Sequence, residues 1–260
     1  MKRFNDMRKN RLKNRHFIYF GGMVLLGIGL LQNLMRLYEY RQAEAAYQEV
    51  KAAVMISDIE QDGENRDERY KDEVSPGALN EVPENPIDFS ELKAINGDIA
   101  AWLAIDQLGL SYPIVQGDDN SYYLEHLYDG TRNMRGSIML NCDNQHTFDD
   151  QNTIIYGHNT SDGSMFGALK QYRDIEESIE DFWIYTPQKA LRCHILFIAY
   201  VEITHPIYRI KYMESAFWEC MQELKTTAYY WEEPDVYPRS IITLSTCNGE
   251  GRLIVVAYLT

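Results

Sequence analysis

The sequence predicts a mostly β protein, an eight-stranded β-barrel carried behind an apolar N-terminal helix. Three observations point there. Eight short segments rich in β-branched and aromatic residues follow one another through residues 100–259, many of them separated by Gly, Asp or Asn. Strands repeated in this way suggest a closed or nearly closed barrel. Residues 17–31 carry no charge at all. Finally, residues 240–260 read as two apolar, β-branched runs around Asn248-Gly249-Glu250-Gly251, the pattern of a β-hairpin.

Taken in order, residues 1–16 form a basic tail. Residues 17–37 then give about 20 predominantly apolar positions, enough to span a bilayer as a helix. The basic flank predicts that the N-terminus stays in the cytoplasm and that the rest crosses, as a single-pass membrane protein with an extracellular C-terminal domain. A cleaved signal peptide fits less well, because the small residues Ala43 and Ala45 lie well past the apolar run. Residues 38–56 are rich in helix formers and read as a helical stalk. Residues 57–86 are rich in Asp, Glu, Asn, Gly and Pro, and they bury too little apolar surface to offset the entropy of ordering; they read as a flexible acidic tether.

The folded domain is expected over residues 87–260. Phe89, Leu92 and Ile95 lie at helical spacing before Gly97, giving a short first helix. The strand-like segments are 100–105, 111–115, 136–140, 152–156, 181–186, 191–202, 240–247 and 252–259. Two helical patches interrupt them: a short one at 165–172 and a longer one at 212–230. The longer patch, a helical insertion before the last two strands, sets Met213, Phe217, Cys220, Met221 and Leu224 on one face toward the barrel.

Charge narrows the function classes. Residues 1–37 carry eight Lys or Arg and one acid, so with a net charge of −14 overall the remainder carries −21. An acidic body lacks the basic surface that neutralises phosphate, which argues against nucleic-acid binding. The four cysteines, at 142, 193, 220 and 247, match no small disulfide scaffold. Cys193 lies in an apolar strand and Cys220 on an apolar helix face, and both read as core. Cys142 and His146 share a loop, but one such pair does not make a metal site.

In the hairpin, a loop of residues 248–251 sets Cys247 opposite Arg252, and directly opposed side chains lie on one sheet face with Cβ atoms roughly 5 Å apart. A guanidinium beside a thiol favours the nucleophilic thiolate and can stabilise a developing oxyanion. His158 follows a strand-like segment and opens a polar loop, a placement suited to a general acid and base. The histidines at 126, 146, 194 and 205 lack that setting and read as structural or solvated. Ser245 and Thr246 carry hydroxyls but no Gly-x-Ser-x-Gly elbow.

Together these segments resemble a sortase, most closely of class B. The pieces that carry the resemblance are Tyr156-Gly157-His158-Asn159, Thr243-Leu244-Ser245-Thr246-Cys247 and Arg252. They are joined by Tyr112-Pro113-Ile114-Val115-Gln116, Asp119-Asn120-Ser121-Tyr122-Tyr123-Leu124, Gly136-Ser137-Ile138 and Asp162-Gly163-Ser164-Met165-Phe166-Gly167. The likeness covers about residues 88–260. One departure is that only four residues separate Cys247 from Arg252, where class B members usually have a longer loop.

The resemblance implies a cysteine transpeptidase that needs no metal or organic cofactor. Cys247 attacks a carbonyl in a C-terminal sorting signal of an exported protein. Arg252 holds the substrate backbone and the oxyanion, and His158 serves as acid and then base. The acyl fragment passes to an amine from a cell-wall precursor or a pilin lysine. Asn120, Leu124, Tyr156 and Ser245 match positions near the substrate groove. Surface-protein anchoring and pilin polymerisation remain two alternatives within the family. A hydrolytic cysteine peptidase, or a membrane-tethered β-barrel that binds peptides without chemistry, are two alternatives outside it.

Overall fold

The computed structural model describes residues 2–55, 85–175, 178–248 and 251–260, with side chains described for all of these except 2–21, 247 and 248. The chain divides into two units, Met1–Ala46 and Tyr47–Thr260. The expected tether falls mainly at 57–84, outside the described residues.

The first unit is helical and belongs to α1 (Lys2–Val54). Its described apolar side chains, among them Met23, Leu25, Leu26, Leu30 and Leu31, are largely exposed. Among the described residues, no helix is long and apolar enough to cross a membrane. The expected span at 17–37 is therefore not supported by its described part. That part starts at Gly22, is cut by Gln32, Asn33 and Arg36, and lacks the apolar residues 17–20, whose side chains lie outside the description.

The second unit opens with the last turns of α1. Tyr47, Val50 and Val54 recur on one helical face and are buried, at 3%, 2% and 0% exposure. The Val54 carbonyl accepts from the Asp88 amide at 2.9 Å, just ahead of α2 (Phe89–Ile95). Asp88 caps that helix by accepting from the Ser90 and Glu91 amides, as expected of a short acidic N-cap side chain. Phe89 and Leu92 are buried, but Ile95 is 42% exposed, so only two of the three expected apolar positions face the core.

The strands are β1 (Ile99–Ile105), β2 (Leu110–Val115), β3 (Ile138–Leu140), β4 (Asn152–Tyr156), β5 (Phe182–Tyr185), β6 (Ala190–Glu202), β7 (Tyr230–Trp231), β8 (Ile241–Asn248) and β9 (Gly251–Leu259). Their order is β5-β1-β2-β3-β4-β8-β9-β6-β7, and an added β5–β6 pairing closes the first eight into a ring. Closure leaves no unpaired edge among those eight strands. The eight expected strands are all present. β7 is a ninth, short strand on the side of β6, pairing Trp231 with Phe197 and Tyr230 with Ile198. It lies where the long helix was expected to end, because α3 (Glu214–Thr227) stops earlier and Ala228 turns to an extended backbone.

α3 packs over β6. Phe217, Cys220, Met221 and Leu224 join Leu196, Phe197, Ile241 and Ile254 in one buried cluster. Met213 does not join them and is 77% exposed. It precedes the helix with an extended backbone, at φ −68° and ψ 146°, and so falls off the helical face. The short patch at 165–172 forms as a 3-10 helix over Phe166–Arg173.

Two pairings in the barrel are parallel, β2 with β3 and β4 with β8. Parallel neighbours need a crossover, so the chain between β2 and β3 runs over one rim. That crossover carries Asn120, Leu124 and Gly136.

Candidate active site

The parallel pairing of β4 and β8 is the geometric root of the site. Tyr156 pairs with Ser245 on the last shared rung, and the Gly157 amide extends it by donating to the Ser245 carbonyl at 3.2 Å. His158 and Cys247 are thus each two residues beyond the same rung of two strands about 4.8 Å apart, His158 just past the end of β4 and Cys247 still within β8. On the other side of β8, Cys247 pairs with Arg252 of β9. The register is the expected one, although the ladder runs one pair further, through Asn248 and Gly251. Only residues 249–250 connect the strands, and they lie outside the described residues.

A cavity of about 410 Å³ opens at this rim, lined by Asn120, Leu124, Ser137, Met139, Tyr156, Gly157, His158, Ile203, Tyr208, Ser245, Thr246 and Arg252. Every expected site residue whose side chain is described lines it: His158, Arg252, Asn120, Leu124, Tyr156 and Ser245. Cys247 reaches the same rim through its backbone register.

His158 is half-buried, and its Nε2 lies 2.8 Å from the Leu124 carbonyl. A carbonyl only accepts, so Nε2 is the ring nitrogen that donates a proton to it, and Nδ1 is left free of that bond. The ring also rests on Gly136, where an added Cβ would come 2.9 Å from His158 Cδ2 and 2.6 Å from the Leu124 carbonyl oxygen. With φ at +58°, glycine is the residue that suits this position on both counts.

The remaining lining residues are tied down. Asn120 Oδ1 accepts from the Cys142 amide at 2.8 Å. The Tyr156 hydroxyl accepts from Asn141 Nδ2 at 3.1 Å. Burial pushes the Tyr156 phenol above its usual value, while Asn141 and the Arg252 guanidinium pull the other way. The phenol is therefore a neutral hydrogen-bonding group at neutral pH. Ser245, 1% exposed, shares a 2.9 Å hydrogen bond with the Tyr208 hydroxyl. Among the described residues, Thr246 Oγ1 is buried without a hydrogen-bond partner beside the cavity. Arg252 Nη1 donates to the Gly251 carbonyl at 3.1 Å.

The other cysteines behave as the sequence suggests. Cys193 and Cys220 are buried free thiols at 0% and 2% exposure. Burial holds Cys193 well above the usual thiol range and pushes Cys220 up to about 11. Cys142 is a half-buried free thiol, raised by burial and by Asp143. Among the described residues, no group of three or more His, Cys, Asp or Glu is placed to hold a metal ion.

Three of the other histidines have local partners: His126 stacks on Tyr122 at 4.0 Å, His194 Nδ1 lies 2.7 Å from Asp181, and His205 accepts from the Ile207 amide.

Sequence reasoning missed six lining residues: Ser137, Met139, Gly157, Ile203, Tyr208 and Thr246. Ser137, Gly157 and Thr246 lay inside segments already singled out, though none was assigned to the groove. Ile203 and Tyr208 come from the stretch between β6 and α3, whose path across the rim has no local sequence signal.

Comparison with known proteins agrees with this geometry. A family model described as the sortase domain matches residues 103–260. Sortase B of Listeria monocytogenes is 31% identical over 253 residues, covering 90% of this chain and 92% of the relative. The crystal structure of sortase B from Bacillus anthracis in complex with AAEK1 superposes with a TM-score of 0.68 at 27% identity, covering 86% of this chain and 99% of that one. A Staphylococcus aureus sortase B–substrate complex superposes with a TM-score of 0.62 at 25% identity, covering 66% of this chain and 84% of that one. The barrel, its rim and these likenesses converge: the chain belongs to the sortase family of cysteine transpeptidases, in its class B branch.

Proposed function

We propose that this transpeptidase cleaves a C-terminal sorting signal of exported proteins and joins the acyl fragment to a cell-wall amine, with Cys247, His158 and Arg252 as its catalytic residues. The Cys247 thiolate attacks the scissile carbonyl carbon, and Arg252 stabilises the resulting oxyanion. The carbon–nitrogen bond breaks as His158 gives its proton to the departing amine. The incoming amine then attacks the thioester, His158 takes the amine's proton, and the thiolate leaves. Splitting one acyl transfer into two half-reactions is the logic of covalent catalysis. Asn120, Leu124, Tyr156 and Ser245 line the groove in which the peptide lies. The observation that supports this reading above the others is the parallel rung Tyr156–Ser245, two residues before both His158 and Cys247.

The enzyme works at the outer face of the cell membrane, anchored through residues 17–37, with the basic tail in the cytoplasm. The exposed apolar side chains of α1 between Met23 and Leu37 support this, since leaving them in water costs about 25 cal/mol per Å². The alternative acceptor is a pilin lysine, kept beside the cell-wall amine because the connection from Cys247 to Arg252 is unusually short for class B.

Incubating the full-length chain with a library of five-residue sorting peptides, followed by mass spectrometry, tests the reading. The expected result is a thioester on Cys247 lacking the C-terminal fragment, and a new amide once an amine is added. Free acid regardless of added amine would make the protein a hydrolase, and peptide binding without an adduct would make it a non-catalytic binder. Covalent multimers formed with a pilin would assign the alternative acceptor in place of the cell-wall amine.

A further inference from the structure

Behind His158, the last turns of α1 reach the rim. Tyr47 is 3% exposed, and its hydroxyl lies 2.7 Å from the Gly136 carbonyl and 3.3 Å from Ser137 Oγ. The carbonyl only accepts, so the phenol donates to it. The Tyr47 ring is set edge-on to Tyr112, with centroids 5.0 Å apart, and tilted against Tyr128 at 5.3 Å. Burial raises this phenol far above its usual value, so it stays a neutral donor.

From that hydroxyl, two short chains of contact lead to the histidine. Gly136 lies directly under the His158 ring and beside the Leu124 carbonyl, close enough that a Cβ would clash with both. Ser137 donates its amide to the Tyr123 carbonyl at 2.9 Å and its hydroxyl to the His126 carbonyl at 2.9 Å. Those bonds clamp the 123–126 turn on either side of Leu124, the carbonyl bonded to His158 Nε2. On the other flank, Tyr112, packed on Tyr47, accepts through its hydroxyl from the Met165 amide at 3.4 Å. Met165 pairs with Asn159, the residue after His158.

We propose that Tyr47 is a positioning residue for His158. One phenol at the end of the stalk helix fixes the backbone on which the imidazole rests and the carbonyl that selects its tautomer. This rests on the assignment of His158 as acid and base. Phenylalanine would fill the same aromatic space, so the hydroxyl is the part with a positioning role. Small misorientations of a catalytic group cost rate far more than they cost binding.

The test is Tyr47→Phe in the full-length chain, with histidine labelled by ¹⁵N. At alkaline pH, where imidazoles are neutral, the wild type should show the His158 ring protonated on Nε2. In Tyr47→Phe the share protonated on Nδ1 should rise several-fold. The kcat for acyl transfer should fall about tenfold with KM within about twofold. A folded Tyr47→Phe protein with an unchanged tautomer and unchanged kcat would overturn the proposal, as would a lowered melting temperature with both unchanged.

Ser137→Ala, which removes the clamp on the His126 carbonyl and keeps the aromatic packing, provides the same readout if Tyr47→Phe does not fold. It should shift the tautomer in the same direction, and an unchanged tautomer there also overturns the proposal. His158→Ala separates the two readings. If it retains acyl transfer, the catalytic assignment of His158 fails, whereas the tautomer readout still reports whether Tyr47 orders the ring.

Discussion

The groove has two walls, built by different means. One is the β8–β9 hairpin, where ladder register alone pairs Ser245 with Ile254, Thr246 with Leu253 and Cys247 with Arg252. The other is irregular. His158 leaves the end of β4, rests on a left-handed Gly136 and bonds a turn carbonyl, while the loop after it passes through Met165 at φ +49°. Regular pairing fixes Cys247 and Arg252 with local sequence. The histidine is held by chain from four separate stretches, near residues 47, 124, 136 and 165. The contrast explains why the strand wall tolerates a short connection, whereas the loop wall depends on residues far away in sequence.

Disabling the strand wall should have the largest effect. Arg252→Ala is expected to lower kcat/KM for acyl-enzyme formation by about 10²–10³-fold, the usual loss of a group that stabilises an oxyanion. Arg252→Lys should recover little of it, because an ammonium does not reproduce the guanidinium fork. Stopped-flow or quenched kinetics on the folded variants would check this. A loss below about fivefold would show that the cation is not aimed at the reacting carbonyl.

The loop wall should break through its backbone. Gly136→Ala places a Cβ 2.6 and 2.7 Å from the Leu124 and Tyr123 carbonyl oxygens at a positive φ. Strain of this kind costs about 1–3 kcal/mol. Thermal unfolding should show that loss, and activity should fall with it because the His158 ring is displaced. A variant as stable as wild type would mean that the turn relaxes freely.

The thiols sharpen the comparison without altering the fold. Burial keeps Cys193 and Cys220 protonated at neutral pH, and the thiolate is the form that reacts. Alkylation of the native protein at pH 7 should therefore label Cys247 first and spare both core thiols. Peptide mapping after brief labelling would read the order, and early modification of Cys220 would contradict it.

The smallest expected effect is at the contact between the strand wall and the stretch before α3. Tyr208→Phe and Ser245→Ala each remove one end of a 2.9 Å hydroxyl pair. Each should cost about 0.5–1.5 kcal/mol, and the double variant less than the sum. Additive losses in that cycle would show that the two hydroxyls do not act together.

The same division governs what the sequence reveals. The apolar, β-branched runs at 240–247 and 252–259 announce a hairpin and fix the pairing of Cys247 with Arg252, because register follows from a local pattern. The barrel was legible for the same reason. Closure by β5–β6 and the parallel β4–β8 pairing were not, since they join segments far apart in the chain. Met213 was misplaced because helical spacing alone does not tell where a helix begins. β7 was missed because two residues carry no periodicity. Tyr47 read as part of a stalk, since its partners Gly136 and Ser137 lie about ninety positions away.

The central claim is that the residue opposite Arg252 is the nucleophile. The most direct test compares wild type with Cys247→Ala in reaction with a thiol-directed sorting-peptide analogue, read by intact-protein mass spectrometry. The wild type should gain one covalent adduct. The folded variant should gain none, with the thiols at 142, 193 and 220 still present. An adduct of undiminished yield on Cys247→Ala would contradict the claim.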